Sequence, residues 1–328
     1  MTVGEITSMD RKVLVSGAGG FVGRPLCAEL LHRGYRVRAA VRALGRFPED
    51  MEAVAVGAID GGTDWTAALR DVEVVIHLAA RVHVMKDQAA DPLAEFLKVN
   101  LHGTENLARQ AAQAGVKRFV YVSSVKVNGE STAGTLSFTE SDQAGPQDPY
   151  SVSKWQAEQA LRRIAQETGL EVVIVRPPLV YGPGVKGNFI NLLAAIDRGI
   201  PLPLAGARNL RSLVYVGNLA DALVACATHP AAAGQTYLVS DGDDVSTAML
   251  VDMIARSLGR SSRAFNFPPG LLRAAATLLG RAEQMDRLFG TLRVNDRKIR
   301  RELGWTPLYS MEQGLRVTAD WYRSCRPR

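Results

Sequence analysis

The sequence predicts an α/β fold, a doubly wound parallel sheet followed by a smaller, mainly helical C-terminal lobe. Three observations carry this prediction. A glycine-rich turn, Gly17-Ala18-Gly19-Gly20-Phe21-Val22-Gly23, lies between the strand-like runs Lys12–Ser16 and Tyr35–Val41. Strand-like and helix-like runs alternate from there to Val175, the signature of parallel strands joined by crossover helices. The texture then breaks at Arg176–Gly184, where three prolines and two glycines fall in nine residues and no central strand can continue. Residues 1–176 therefore form the first domain and 177–328 the second lobe, with segments such as 212–240 free to pack back on the first.

Residues 1–10 carry no periodic signal and read as a loose leader. Lys12 to Arg42 then supplies strand, turn, helix and strand within the roughly 30 residues one βαβ unit needs. Gly17 permits the tight turn, Gly20 lets the backbone approach a pyrophosphate, and Gly23 lets helix and strand pack closely. The amides at the start of the helix that follows face the phosphates with the positive end of the macrodipole. This predicts a dinucleotide site. An NAD-selective site usually has an acidic side chain at the end of the second strand, to accept from the ribose 2′-hydroxyl. Here Val41 takes that place and Arg42 follows, a guanidinium suited to a 2′-phosphate. NADP(H) is the favoured cofactor and NAD(H) the alternative.

Val54–Ile59 is the third expected strand, Trp65–Leu69 a short helical turn and Glu73–Leu78 the fourth strand. Small residues after that strand, Ala79 and Ala80, let a dinucleotide lie close to the sheet. Pro92–Ala114 repeats apolar residues at helical spacing, with proline at a tolerated first-turn position. Asn100, inside this helix, is either a solvated amide or a brace for the strand end that holds a serine. Lys117–Ser123 is the fifth strand, ending in Ser123-Ser124, and Asn128–Pro149 is a loop able to form part of a lid. Tyr150–Thr168 is a helix and Glu171–Val175 the sixth strand. In the second half, helices are expected at Asn188–Arg198, Asn218–Ala227, Thr247–Leu258, Leu271–Leu279, Asp296–Leu303 and Met311–Arg323. Strands are expected there at Ser212–Val216 and Gln235–Val239.

Composition narrows the function. Hydrophobic residues make up 47% and charged residues 22%, ordinary for a soluble globular protein. The net charge of +6 suits an anionic ligand and equally a solvated basic surface. No Lys/Arg block with interleaved aromatics points to nucleic acid. Cys27, Cys226 and Cys325 are odd in number and outside any CxxC pattern, which fits thiols in a reducing cytoplasm. The histidines His32, His77, His83, His102 and His229 lack metal-ligand spacing. No signal pattern or membrane-length apolar run is present. Gly270–Gly280, apolar around Arg273, reads as a packed helix, with a membrane-surface or lipid-substrate contact as the alternative.

The chemistry lies in Tyr150-Ser151-Val152-Ser153-Lys154, which puts a phenol and an ammonium at i and i+4 on one helix face. Ser124 ends a parallel strand on the carboxyl edge of the sheet, where such sheets bind ligands. Together these groups can surround a carbonyl or carbinol: Ser124 bonds its oxygen, Tyr150 exchanges the proton, and Lys154 lowers the phenol pKa and holds a nicotinamide ribose. A phenol near pKa ~10 needs a drop of about three units to act as a base at neutral pH.

Gly17–Gly23, His77–Ala80, Asn100, Ser123–Ser124, Tyr150/Lys154 and Arg176–Gly184 resemble the extended short-chain dehydrogenase/reductases. Within them the chain is similar to the nucleotide-sugar epimerase/dehydratase branch over nearly its whole length. The resemblance implies a Rossmann-like domain, a bound nicotinamide cofactor, a UDP-sugar substrate under the C-terminal lobe, and a homodimer through two helices per subunit. By position it implies that Ser124, Tyr150 and Lys154 are catalytic. Gly17, Gly20, Phe21, Val22, Arg42, Ile59, Leu78, Ala79, Ala80, Asn100, Ser123, Lys154 and Pro177 are then expected to line the cofactor. Arg81, Ser124, Tyr150, Asn188, Phe189 and Arg211 are expected to meet the substrate.

Departures from the family pattern separate the reactions. The acidic residue that commonly meets adenine is replaced by Ala58-Ile59, beside Asp60. Val-Tyr-Gly becomes Val127-Asn128-Gly129, and the usual Arg-Asp and later Asp become Arg211-Ser212 and Asn218. A 4,6-dehydratase carries an acid pair after the hydroxyl residue; Val125 and Lys126 stand there, so dehydration is disfavoured. No cysteine sits beside the serine, which disfavours 3,5-epimerisation with 4-reduction. Two readings remain. One is reduction of a UDP-4-keto-6-deoxy-N-acetylhexosamine at C4, favoured by Arg42 and by similarity to O-antigen enzymes making UDP-N-acetylquinovosamine. The other is a UDP-hexose or UDP-N-acetylhexosamine 4-epimerase with tightly bound NAD. A dinucleotide-sensing protein without activity is a distant third, since Tyr150 and Lys154 are both present.

Overall fold

The structure, a computed structural model, describes residues 11–45, 47–82, 90–268, 270 and 289–325. The leader 1–10, His83 and the helix expected at Leu271–Leu279 lie outside the described residues. Seven strands form one parallel sheet: β1 (Lys12–Ser16), β2 (Arg36–Val41), β3 (Met51–Ala55), β4 (Val74–His77), β5 (Arg118–Val122), β6 (Glu171–Arg176) and β9 (Thr236–Leu238). Their order is β3-β2-β1-β4-β5-β6-β9, the doubly wound arrangement extended by one strand. Buried β-branched residues fill both faces of the central strands, as a sheet covered by helices on both sides requires.

The helices of this part are α1 (Gly23–His32), α2 (Thr66–Leu69), α3 (Pro92–Leu97), α4 (Thr104–Gln113) and α5 (Pro149–Thr168). α5 begins with Pro149 at its first turn behind a capping box between Asp148 and Ser151, and it ends at Gly169 in the left-handed conformation. Two expectations change. The third strand ends at Ala55, opposite Val41, because Gly57 at φ 70° turns the chain before Ile59. The long helix 92–114 is interrupted by a π-helical turn, Lys98–Gly103, that contains Asn100. Such a bulge often marks a functional position.

The second lobe is built on a three-stranded sheet, β10-β8-β7, with β7 (Leu179–Tyr181), β8 (Arg211–Tyr215) and β10 (Asp244–Val245). The proline-rich stretch thus forms a short strand after all; β7 lies at an edge, where neighbouring prolines disturb no ladder. Around the sheet stand α6 (Asn188–Asp197), α7 (Val216–Thr228), α8 (Thr247–Ser257) and α10 (Met311–Ser324), while α9 (Arg297–Leu303) packs on β9 of the first sheet. A separate apolar cluster joins Tyr181, Phe189, Leu213, Tyr215 and Leu315. α7 packs on α1, and β9 pairs with β6, so the chain returns to the first sheet after entering the second. No helix among the described residues is long and apolar enough to cross a membrane.

Candidate active site

The groups singled out from sequence gather at the carboxyl edge of four adjacent strands, β1, β4, β5 and β6. Gly17 follows β1, Leu78 to Arg81 follow β4, Ser123 and Ser124 follow β5, and Pro177 follows β6. With strands about 4.8 Å apart, the glycine turn and Ser124 are separated by two spacings, or ~10 Å, across the sheet.

The glycine turn is packed tightly at two of its glycines. Gly17 has φ 71°, and a Cβ on it would come within 2.9 Å of the Ala79 nitrogen. A Cβ on Gly23 would lie 2.2 Å from the Gly17 carbonyl oxygen, so the first turn of α1 can rest on the loop only as glycine. Gly19 and Gly20 remain exposed, and Phe21 and Val22 are partly exposed where α1 begins. Ser16 fixes the facing wall: its Oγ accepts from the amides of Leu78 and Ala79 at 3.2 Å each and bonds His77 Nδ1 at 2.6 Å. Because that oxygen already accepts twice, its proton goes to Nδ1, and Nε2–H of the neutral ring donates to Thr104 Oγ1 at 3.0 Å. Burial and then the Lys154 charge push the His77 pKa down to about 3.

Asn100 is buried and braces a different strand end from the one expected. Its Oδ1 accepts from the Arg81 amide at 2.8 Å, and its Nδ2 donates to the Arg81 carbonyl at 3.0 Å and to Ser153 Oγ at 2.9 Å. Ser153 donates in turn to the Tyr150 carbonyl at 2.7 Å. The amide therefore couples the loop after β4 to the helix that carries Tyr150 and Lys154. The serine strand, β5, is held otherwise.

Ser124 and Tyr150 are brought together: the Ser124 hydroxyl lies near enough to the phenol to favour its ionisation, and both residues are partly exposed. The edge of Phe96 packs on the Tyr150 ring with centroids 6.1 Å apart, and Arg81 lies 5.4 Å over the Phe96 ring. Lys154 donates to the Val122 carbonyl at 2.9 Å and stands 6.0 Å from the Tyr150 ring centre. The lowered phenol pKa expected from Lys154 is not found. Burial and the nearby Asp148 push Tyr150 up to about 12, against the nearby Ser124 hydroxyl. Burial brings Lys154 down to about 7, against the pull of Glu158. A second positive charge, such as an oxidised nicotinamide carries, is what this site needs to release the phenol proton.

A buried network behind these groups escaped the sequence reading. Glu158 and Arg176 form a two-point ion pair at 2.6 and 2.9 Å, with side chains 0% and 2% exposed. Ser123 donates to Glu158 at 2.6 Å, and Arg176 donates to Asn128 at 3.1 Å. The Ser123 hydroxyl is therefore committed to Glu158. Pro177 holds the serine loop through its carbonyl, which accepts from Val125 at 3.0 Å.

The remaining positions divide. Arg42 is exposed just beyond β2, and Ile59 is partly buried against Gly103 of the π turn. Asn188 is exposed at the first position of α6, whereas Phe189 is buried and stacked on Tyr181 at 5.6 Å, so the ring serves the core of the second lobe. Arg211 donates to the Gly290 carbonyl at 3.1 Å. Asn218, where the pattern expects aspartate, bonds Asp241 and the backbone of Tyr309.

The profile of the NAD dependent epimerase/dehydratase family matches residues 13–240. The chain belongs to that family, and it is an enzyme of the short-chain dehydrogenase/reductase type. It is 42% identical over 323 residues to a UDP-glucose 4-epimerase of Vibrio cholerae, with 98% of each chain covered. Among solved structures, MoeE5 in complex with UDP-glucuronic acid and NAD superposes with a TM-score of 0.76 at 27% identity, covering 96% of this chain and 100% of that one. The UDP-glucose 4-epimerase of Thermotoga maritima, with UDP-glucose, shares the fold with a TM-score of 0.76 at 21% identity, over 95% and 99% of the chains.

Proposed function

We propose that this enzyme is a UDP-hexose or UDP-N-acetylhexosamine 4-epimerase that keeps NAD bound. The observation that carries the reading is the Ser124–Tyr150–Lys154 cluster at the strand edge beside a glycine turn in which Gly17 and Gly23 leave no room for a side chain. Similarity across the full length to a UDP-glucose 4-epimerase supports epimerisation above net reduction, which had been the favoured expectation. The family description and the NAD held by MoeE5 support NAD in preference to NADP.

The glycine turn and the start of α1 would hold the pyrophosphate, Ala79 and Ala80 would leave room beside it, and Lys154 would hold the nicotinamide ribose. When bound, NAD supplies the acceptor for the hydride leaving C4 and the donor that returns it. Ser124 bonds the sugar O4 and Tyr150 takes its proton as the carbinol becomes a ketone. The ketone then presents its other face, and Tyr150 gives the proton back to O4 as hydride returns to C4. No net oxidation occurs, so one cofactor serves every turnover. Asn188 and Arg211 would meet the diphosphate.

Denaturing the purified protein and identifying the released nucleotide tests this reading. One equivalent of NAD⁺, with interconversion of a UDP-gluco and a UDP-galacto sugar in the absence of added cofactor, is the expected result. Release of no nucleotide, with NADPH consumed on adding a UDP-4-keto-hexosamine, would overturn it. That second reading, a C4 reductase, rests on the exposed Arg42 beside Val41, where an acidic residue would select NAD.

A further inference from the structure

Lys126 stands two residues after Ser124, on the 3₁₀ turn Val125–Val127 that follows β5. Its ammonium reaches Asp148 at 2.6 Å and Glu130 at 2.8 Å. Asp148 is the N-cap of α5 and lies two residues before Tyr150; its other oxygen accepts from the Ser151 amide at 2.6 Å. One cation therefore ties the loop of the reactive hydroxyl to the helix of the reactive phenol. The tie is outside the core, since the three side chains are 26 to 30% exposed. Replacing Lys126 thus leaves the buried network behind the site intact.

We infer that Lys126 is a positioning residue: it clamps Asp148 so that Ser124 stays within reach of Tyr150, and it offsets a negative charge beside the phenol. The inference rests on Tyr150 being the acid–base group of the proposed reaction. Burial pushes Asp148 up, but the bond from Lys126 and the Ser151 amide outweigh it and hold the carboxyl below its usual range. That carboxylate is the nearby charge that opposes ionisation of Tyr150. The other titratable or charged groups around the phenol are Lys154 and Glu158 on its own helix, Tyr121 on β5, and Arg81 with Glu95 across the Phe96 ring. None of these bonds Asp148. An acid at position 126, as in the dehydratase pattern, would repel Asp148 and open the clamp.

The test uses the NAD-loaded protein labelled with [¹³Cζ]tyrosine, the Tyr150 signal being assigned by its loss in Tyr150→Phe. Lys126→Met should raise the phenol midpoint by about half a pH unit or more, because one compensating charge is removed at short range. Asp148→Asn, which keeps a capping side chain, should lower it. The double variant should fall between them, and Lys126→Arg should restore the wild-type value. The pH dependence of kcat with UDP-glucose and UDP-galactose should shift in the same directions. Midpoints unmoved in both single variants, or moved the same way, overturn the inference even if turnover falls. Absence of turnover on these sugars alongside opposed phenol shifts would refute the epimerase reading alone and leave the clamp standing.

Discussion

The edge of the large sheet and the small sheet of the second lobe handle their polar side chains differently. At the large-sheet edge, Ser16, His77, Asn100, Ser153, Glu158 and Arg176 are buried or nearly so and joined by short bonds, and their common effect is to set Ser124, Tyr150 and Lys154. In the small lobe, Tyr181, Asn218 and Asp241 are equally buried and bonded, but to one another and to Met311 and Tyr309, within the lobe's own core. There the polar network secures β7, β8 and the approach to α10. The lesson is that the buried polar bonds of the first sheet reach out to Ser124, Tyr150 and Lys154 at its edge, while those of the second close on their own core.

Four substitutions sharpen or break that contrast. Tyr150→Phe should lower kcat by about 10²-fold or more, since proton exchange is removed, and leave NAD retention unchanged. Assay of sugar interconversion beside quantitation of released NAD checks both halves; retained turnover would take the phenol out of the chemistry. Arg176→Leu should cost about 3–5 kcal/mol of stability, because Glu158 is left buried without its partner. Urea unfolding measures it, and a loss under 1 kcal/mol would mean that the network is dispensable. Arg211→Ala should raise KM for the UDP-sugar several-fold with kcat little changed, the mark of binding that does not differ between ground and transition state. A fall in kcat alone would place Arg211 in the chemistry and erase the contrast.

The smallest effect expected concerns pH. His77 is folded neutral with a pKa of about 3, against about 6.5 unfolded, so the unfolded chain binds the extra proton between those values. Stability therefore falls as pH drops from 6.5 towards 3, and that contribution is fully lost below 3. His77→Gln, which has no proton to gain, should be less stable than wild type at pH 7 and lose part of that disadvantage by pH 4. Equal pH slopes for the two proteins would show that His77 does not titrate on unfolding.

What could be seen in the sequence was set by distance along the chain. Gly17 to Gly23, and Tyr150 with Lys154, are close neighbours whose spacing encodes turn and helix geometry directly, and β-alternation with helices makes a parallel sheet the natural solution. Glu158 lay within reach of the same reasoning, four residues beyond Lys154 on one helix face. Its partner Arg176 sits 18 residues away on the next strand, and Lys126 meets Asp148 across 22 residues of irregular loop. No local periodicity joins such pairs. Phe189 was illegible for a different reason: an aromatic at a helix start suits a nucleotide or a core equally well, and only the structure shows its ring stacked on Tyr181. The path of the Lys154 side chain was not legible, because i, i+4 spacing fixes the face a lysine shares with tyrosine but not where the ammonium ends. Here it bends to the Val122 carbonyl.

β9 has a practical consequence for anyone recombining this enzyme with its relatives. The strand comes from after the second sheet begins, yet it completes the first by pairing with β6. A chimera spliced at residue 177 would import a foreign border for its own sheet, and a fragment stopping there would present β6 as a naked template for aggregation. An exchange that keeps Thr236–Leu238 with its own β6 avoids both faults.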